Sequence, residues 1–229
     1  MLREWLEDAE EFLRRDFGRS PCARPDAARA ALEVCNWKAL GAILAAVPDV
    51  LVVARGREVD VPAPRSLDEL GGLFEQGIGV VVRHAQDHHE PLARYCEDLA
   101  ADVPGEQRVL VFATPAGTHG FGWHYDAEEV FIVQTAGRKD YYFRANTIDP
   151  QPKRGAQPDF SRIREETTPL SSCSLLAGDW LYLPRGYWHL ARPIEHSLSI
   201  SIGIFPSPSV AVGDGPVASD VRSPSCPTG

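Results

Sequence analysis

The sequence lacks long hydrophobic runs, paired cysteines and a surplus of basic residues, and each absence excludes a class of protein. No stretch approaches the roughly 20 apolar residues that cross a bilayer, and the charged N-terminus does not resemble a secretory signal. The five cysteines contain no C-x-x-C pair, which argues against a zinc ribbon or a disulfide framework. The net charge of −9 argues against a nucleic-acid-binding surface, which needs a basic patch. These features predict a cytoplasmic protein without a membrane or nucleic-acid partner.

Lysine is scarce as well, because only Lys38, Lys139 and Lys153 among the 23 basic residues are lysines. The length of 229 residues and the 44% apolar content are typical of one domain with a full core. We expect this domain to span residues 1–205 and to begin with a helical region. The Pro-, Ser- and Gly-rich residues 206–229 are predicted to be a disordered tail.

The first half of the chain predicts a mixture of helices and strands. Apolar residues recur at helical spacing in several segments, and Asp26 is a candidate N-cap for the second of them. The predicted helices are 3–16, 27–34, 37–46, 67–76 and 87–101, and the predicted strands are 50–54, 79–82 and 108–113.

The second half predicts short strands separated by turns, which is typical of a sandwich or barrel. The turn signal at 135–138 predicts that strands 130–134 and 140–144 form a hairpin. Further short strands are expected at 175–176, 180–184, 189–191 and 198–204. The polar, proline-containing segment 146–168 is long for a loop, so we interpret it as a lid over a functional site.

Two motifs carry candidate metal ligands. In Trp123-His124-Tyr125-Asp126, the alternation of a strand would turn His124 and Asp126 to the same face. An H-x-D triplet alone is also compatible with a strand-end histidine and a surface aspartate. The segment 178–189 fits G-x5-P-x-G-x2-H, in which a tight turn would return His189 inward, although a histidine beside Trp188 is also compatible with a core position.

Two histidines and one carboxylate form the facial triad of non-haem Fe(II) oxygenases, which leaves coordination positions free for substrates. A structural zinc site would need a fourth Cys or His ligand, and no residue has fitting spacing. His84, His88 and His89 lie near a helix start and are expected to be solvated. His119, in a Gly-rich turn, is interpreted as a residue beside the ligands or facing the substrate.

These motifs resemble known families. Residues 178–189 resemble the second motif of the cupin superfamily. The stretch from His124 through 130–134 to 137–139 resembles the JmjC-type 2-oxoglutarate oxygenases, and within them the ribosomal protein hydroxylases. The similarity covers roughly residues 112–204.

The resemblance implies a mainly β fold with flanking helices, a double-stranded β-helix of the cupin or jelly-roll type. It implies that His124, Asp126 and His189 bind Fe(II), and that 2-oxoglutarate and O2 are cosubstrates. It also implies that Lys139, fifteen residues after His124, holds the far carboxylate of 2-oxoglutarate. Ser201, twelve residues after His189, falls where the family has a small polar residue near the cosubstrate. Without the resemblance, Lys139 would be read as a solvated lysine at the end of a hairpin.

The sequence departs from its relatives in two ways. A general cupin has a further His and a Glu in its first motif, where this chain has Asp126, and this favours an oxygenase. The ribosomal hydroxylases continue into a dimerisation region and a winged-helix domain, which we do not expect here. We therefore do not carry over the ribosomal substrate or the dimer.

Three functions remain open from the sequence. The first is hydroxylation of an amino-acid side chain in a peptide or protein. The second is hydroxylation of a free amino acid or a natural-product intermediate. The third is a metal-binding cupin without oxygenase activity, which would have no need for a dicarboxylate anchor at Lys139.

Overall fold

Residue 6 and residues 9–118 and 120–207 are described by the structure, a computed structural model of this chain. The helices in this part are α1 Ala9–Arg15, α2 Ala30–Val34, α3 Trp37–Ala45, α4 Leu67–Glu75 and α5 Glu90–Asp102, with 3₁₀ helices at Ala85–His88 and Phe160–Glu165. The strands are β1 Cys22–Arg24, β2 Asp49–Ala54, β3 Arg57–Glu58, β4 Gly79–Arg83, β5 Gly105–Thr114, β6 Glu129–Ala136, β7 Lys139–Arg144, β8 Ser171–Leu175, β9 Trp180–Leu183, β10 Trp188–Pro193 and β11 Ser197–Pro206.

Two of the helices begin at side-chain caps that the sequence supplies. The Asn36 side chain accepts a hydrogen bond from the Ala39 N–H, and the Ser66 hydroxyl accepts one from the Glu69 N–H. Each cap satisfies one of the free N–H groups at a helix start. No helix in the described ranges is long and apolar enough to span a membrane.

The strands form two antiparallel sheets that pack face to face. The large sheet has the order β1-β9-β6-β11-β5-β4-β2-β3, and the small sheet has the order β10-β7-β8. Their facing side chains share one apolar cluster, which includes Ile132 and Leu181 from the large sheet and Phe143 and Leu175 from the small sheet. The arrangement confirms the expected jelly-roll architecture.

The helices cover the outer side of the large sheet. The central strand β11 shows this most clearly, because Ile200 and Ile202 are fully buried in the cluster that also contains Leu40 and Leu99 from the helices. Successive strand residues point to opposite faces. Ser199 and its alternate neighbours therefore face the small sheet, and the space between the two sheets is called the chamber below.

The predicted hairpin at 130–144 is wrong. Strand β6 pairs with β9 on one side and with β11 on the other, so neither of its edges is free. Strand β7 instead lies in the small sheet between β10 and β8. The turn at 137–138 carries the chain from one sheet to the other.

Several smaller expectations also change. Asp26 does not cap a helix, because it has a left-handed backbone (φ +57°) and forms an ion pair with Arg29, while α2 begins at Ala30. Strand β8 ends where a strand was expected to begin, and β1 and β3 were not expected. Helix α1 falls within the expected 3–16. His119, most of the predicted tail at 206–229 and the first residues of the expected N-terminal helix lie outside the described residues.

Candidate active site

Three side chains converge at the open edge of the small sheet. The His189 N–H donates to the His124 carbonyl at 2.8 Å, and the His124 N–H donates to the His189 carbonyl at 3.1 Å. This single bridge continues the sheet beyond β10 and places the two imidazole rings 4.1 Å apart. Asp126 follows two residues later, and its Oδ2 lies 3.5 Å from His189 Nε2. One possible ligand atom from each of the three residues lies within 4.8 Å of the others.

The turn before His189 is attached to the segment that carries Asp126. The Gly186 N–H donates to the Asp126 carbonyl at 2.9 Å. Gly186 has φ +83°, and a Cβ there would lie 2.7 Å from the Pro150 carbonyl oxygen, so the position requires glycine. Glu129 also holds this turn, because its Oε2 accepts from the Arg185 N–H at 3.3 Å. These contacts explain why the motif has glycine three residues before its histidine.

Backbone carbonyls orient both imidazole rings. His124 Nδ1 lies 2.7 Å from the Gly122 oxygen, and His189 Nδ1 lies 2.9 Å from the Tyr187 oxygen. Since a carbonyl only accepts, each Nδ1 must carry the proton and each Nε2 presents its lone pair. Burial, and then the neighbouring His124, lower the pKa of His189 to about 4. His189 is therefore neutral at physiological pH, as a metal ligand must be.

The donor set fits a divalent transition metal. It offers two neutral imidazoles and one carboxylate, and it leaves positions for exogenous ligands. The His189 side chain is buried, whereas His124 and Asp126 are partly exposed. One side of the site is thus closed by protein and the other is accessible.

Lys139 lies in the same chamber and is almost completely buried. Its Nζ donates to the Ser199 hydroxyl at 2.9 Å and lies 5.6 Å from the centre of the Phe112 ring. No carboxylate of the described residues forms an ion pair with it, and burial lowers its pKa to about 7. A buried cation without a protein anion is costly. The geometry therefore favours an anionic ligand beside this side chain.

Strand register places Lys139 on the same face as His189, one of the three candidate metal ligands. In the β10–β7 ladder, His189 is opposite Phe143 and Pro193 is opposite Lys139, an even number of residues apart. Directly opposed residues point to the same face. Ring contacts also connect the two places, because Phe121 lies 6.0 Å from His124 and 6.4 Å from Phe112.

The serine that contacts Lys139 is Ser199. Ser201 lies on the same face of β11, half-buried and opposite Leu110, and its role at the cosubstrate stays a prediction. Ser199 also hydrogen-bonds Tyr141, whose pKa is raised by burial. The alternation of Ser197, Ser199 and Ser201 in the sequence was the signal that could have identified Ser199.

The two arginines nearest to Lys139 in the sequence have other partners. Arg138 lies 3.3 Å from Asp140 and also contacts Ser174. Arg144 donates to the Thr168 carbonyl. Both contacts lie away from the Lys139–Ser199 pair, so Lys139 is the better placed cation.

Segment 146–168 lies beside the candidate metal ligand His124. Glu166 closes its base, because the carboxylate accepts from the Thr147 N–H at 2.7 Å and from the N–H groups of Thr167 and Thr168. These bonds outweigh burial and lower the pKa of Glu166. Further along, the Phe160 ring lies 6.2 Å from the His124 ring.

Two of the three aromatic residues beside the candidate ligands are core residues. Trp188 is fully buried and Tyr125 nearly so, whereas Trp123 is half-buried. The Tyr125 ring packs edge-on against Trp188 at 4.6 Å, and its hydroxyl donates to Asp149 at 3.0 Å. Tyr125 therefore connects the segment that carries His124 and Asp126 to segment 146–168.

Charged side chains line the rim of the chamber. Glu128 is buried, and its carboxylate lies 2.9 Å from the Arg108 guanidinium. Burial, and then the nearby Asp126 carboxylate, raise the pKa of Glu128. Glu106 and Arg154 form a second, exposed ion pair. None of these four residues was singled out from the sequence.

Comparison with known proteins agrees with this architecture. The profile described as JmjC domain matches residues 84–211, which is more than half of the chain. Ribosomal oxygenase 1 of Gallus gallus is 38% identical over 165 residues, which cover 69% of this chain and 27% of that protein. The bifunctional lysine-specific demethylase and histidyl-hydroxylase NO66 of Dictyostelium discoideum is 31% identical over 136 residues, or 58% of this chain and 26% of that protein. The chain thus spans about a quarter of the length of these relatives.

Solved structures show the same fold. YcfD, a ribosomal oxygenase from Escherichia coli in complex with cobalt and 2-oxoglutarate, superposes with a TM-score of 0.61 at 19% identity. The complex of YcfD with cobalt and succinic acid gives a TM-score of 0.62, also at 19% identity. Each superposition covers 96% of this chain and 61% of the other.

Proposed function

The chain belongs to the JmjC domain family, and we propose that it is an Fe(II)- and 2-oxoglutarate-dependent dioxygenase. Its reaction would hydroxylate an unactivated C–H of an amino-acid side chain in a peptide or protein. The observation that carries the proposal is the pairing, in one chamber, of a His/Asp/His donor set with a buried lysine that forms no ion pair with the described carboxylates. The names of the relatives, ribosomal oxygenase and histidyl-hydroxylase, support a protein substrate.

Each site residue has a distinct role in this proposal. His124 and His189 would hold the iron through Nε2, and Asp126 would hold it through a carboxylate oxygen that offsets part of the metal charge. Lys139 and the Ser199 hydroxyl hold the far carboxylate of 2-oxoglutarate, with Ser201 as a further candidate contact. Iron held by these residues would supply the activation of O2, and the overall reaction would convert O2, 2-oxoglutarate and a substrate C–H into succinate, CO2 and C–OH.

The protein supplies position and exclusion of water. The carbonyls of Gly122 and Tyr187 keep both imidazoles oriented before metal arrives, so that little reorganisation is needed on binding. Phe112 and Phe121 form an apolar wall along the path from Lys139 to the metal ligands. Such a wall keeps water from competing with the cosubstrate carboxylate.

The deciding experiment is turnover of 2-oxoglutarate by the purified protein. We expect succinate to form on addition of Fe(II), 2-oxoglutarate and O2, and to form faster when a substrate is present. Mass spectrometry against peptides, ribosomal proteins and free amino acids then identifies the product that gains one oxygen. Metal binding without any succinate would instead favour a cupin that is not an oxygenase.

We further propose a cytoplasmic location and no nucleic-acid partner. The described cysteines Cys22, Cys35, Cys96 and Cys173 are free and buried, which supports a reducing compartment. Fractionation of cells that express the tagged protein tests this location.

A further inference from the structure

Glu128 is a buried carboxylate at the mouth of the chamber. Its side chain is 8% exposed, and it lies two residues after the metal ligand Asp126. The chain passes close to β11 here, because a Cβ at Gly203 would lie 3.2 Å from Glu128 Cδ. Gly203 is on the same face of β11 as Ser199 and Ser201, so the carboxylate lies on the chamber side of the large sheet.

Arg108, the cation that pairs with Glu128, is exposed, whereas Glu128 itself is buried. Arg108 is opposite Gly203 in the β5–β11 ladder and also belongs to the chamber side, yet its side chain is 52% exposed. Its Nη1 lies 2.9 Å from Glu128 Oε1, but no N–H is aligned with that oxygen, which receives no hydrogen bond from the described residues. An exposed cation thus lies beside a buried carboxylate without forming a hydrogen bond to its Oε1.

The surrounding wall leaves room for a ligand. Leu110 and Phe112 on β5 and Ser201 on β11 face the small sheet, but each is only half-buried. Interior positions of a barrel are normally filled. Three residues of the chamber wall near the Glu128–Arg108 pair therefore keep part of their surface in contact with solvent.

We propose that Glu128 determines specificity by binding a cationic side chain of the substrate, and that Arg108 occupies this position only until the substrate arrives. The inference rests on the proposed function, since it assigns the substrate class of the same site. A substrate cation that enters beside Asp126 can pair with Glu128 in a partly desolvated place, where the attraction is stronger than in water. The net charge of −9 also attracts cationic peptides.

The test compares peptides that differ in charge and little else. The probes are short labelled peptides with a central arginine or its neutral isostere citrulline, and with a central lysine or acetyl-lysine. Binding is measured by fluorescence anisotropy on the purified protein, and hydroxylation by mass spectrometry. We expect at least one cationic peptide to bind about tenfold or more tightly than its neutral counterpart.

Two variants separate recognition from structure. Glu128→Gln keeps shape and removes charge, so the ratio between cationic and neutral peptide should fall towards one. Arg108→Ala removes the side chain that pairs with Glu128 in the free protein, so the preference for the cationic peptide over the neutral one should persist or increase. Asp49→Asn is the matched control, because it removes an exposed carboxylate from the separate ion pair with Arg83 and should leave the ratio unchanged.

Three results would overturn the inference. They are equal binding of charged and neutral peptides by the wild type, an unchanged ratio in Glu128→Gln, and parallel loss of preference in Glu128→Gln and Arg108→Ala, which would mark a purely structural ion pair. Absence of succinate from the wild type would refute the proposed function instead. The anisotropy ratios would still decide the role of Glu128 in that case.

Discussion

The two sides of β11, a central strand of the large sheet, carry opposite kinds of side chain. On the side of the helices, β11 presents Leu198, Ile200, Ile202 and Ile204, all fully buried. On the chamber side the same strand presents Ser197, Ser199, Ser201 and Gly203, which are small or polar. The period of two in a strand keeps the two sets apart. One strand therefore supplies both the apolar core and the wall of the site.

The two sides also differ in the free energy of burying their side chains. The helix side buries apolar groups, which stabilise the fold at about 25 cal/mol per Å² removed from water. The chamber side buries the charged groups of Lys139 and Glu128 and the imidazole of His189, and such groups cost free energy unless they are paired. We infer that the helix side maintains the fold while the chamber side is kept ready for ligands. Substitutions on the two sides should therefore have different consequences.

The largest effect should come from Asp126→Ala. This change removes the only anionic ligand among the three, so succinate formation should fall to background while the melting temperature remains close to that of the wild type. Asp140→Ala is the control, because Asp140 is on the outer face of β7 beside Arg138 and should keep turnover. Near-normal turnover in Asp126→Ala would refute the ligand assignment.

The second largest effect should come from Lys139→Ala, as a loss of affinity for 2-oxoglutarate. Without Lys139 the far carboxylate of 2-oxoglutarate would be buried unpaired, so binding should weaken by roughly 2–5 kcal/mol while metal content is unchanged. Lys139→Arg should keep partial activity, since it retains the positive charge. Titration of 2-oxoglutarate measures the effect, and the exposed Lys153→Ala is the control. Unchanged affinity would place the anchor elsewhere.

A substitution on the helix side should change stability and not chemistry. Ile200→Ala creates a cavity at a fully buried position and should lower the free energy of unfolding by about 3 kcal/mol. Turnover per folded molecule should be retained. The adjacent Ser201→Ala, on the chamber side, should cost less than about 1 kcal/mol. Urea titration of both variants makes the comparison, and equal losses would contradict the division between the two sides.

The sequence predicted the barrel and the ligand motifs because both depend on local patterns. Alternation marks strands, and the spacing of Pro184, Gly186 and His189 marks the tight turn. Local patterns do not predict which strands pair with each other. Strands β6 and β7 are adjacent in the chain but belong to different sheets. Whether an edge of β6 is free depends on β9 and β11, which lie far along the sequence.

The rim and the partner of Lys139 were missed for a related reason. Glu128 and Arg108 meet only because β5, β6 and β11 lie side by side, and no local pattern marks either residue. The contact between Lys139 and Ser199 likewise crosses from one sheet to the other. Pairs of this kind require the three-dimensional arrangement, although the alternating serines of β11 restrict the choice.

The burial of Lys139 also predicts a pH dependence of stability. Its pKa is about 7 in the folded protein, against an ordinary value of 10.5. Between these values the unfolded chain holds a proton that the folded protein does not, so the free energy of unfolding should rise with pH by about 1.4 kcal/mol per unit. Below pH 7 the full cost of burial is present, and above about 10.5 it is gone.

Lys139→Met isolates this contribution. Without 2-oxoglutarate, the difference in unfolding free energy between the variant and the wild type should shrink as the pH is raised from 7 to 10. Saturating 2-oxoglutarate should abolish the trend, because the bound anion keeps the lysine charged. If the unfolding free energies of the variant and the wild type changed with pH in parallel without 2-oxoglutarate, Lys139 would not be a buried group with a lowered pKa.

The smallest effect should come from segment 146–168. This segment lies over the edge of the chamber. Its Phe160 ring is 39% exposed, yet it packs edge-on against Tyr125 at 5.5 Å and near His124 and Trp188. An apolar ring left partly in water beside metal ligands is well placed to cover a bound substrate. The base of the segment is closed by Glu166, so the ring can be removed without opening the loop.

Phe160→Ala should therefore slow hydroxylation of the prime substrate more than it slows the uncoupled decay of 2-oxoglutarate. The expected loss is about tenfold or less, since one partly exposed ring contributes about 1.4 kcal/mol or less. Coupling is measured as product formed per succinate released, with Leu176→Ala as a matched control, because Leu176 is 55% exposed at the end of β8. A fall in hydroxylation without more uncoupled succinate indicates weaker capture of substrate, and a fall in coupling indicates loss of the cover during reaction. Equal loss of both activities would show that the segment only supports the fold and does not cover the substrate.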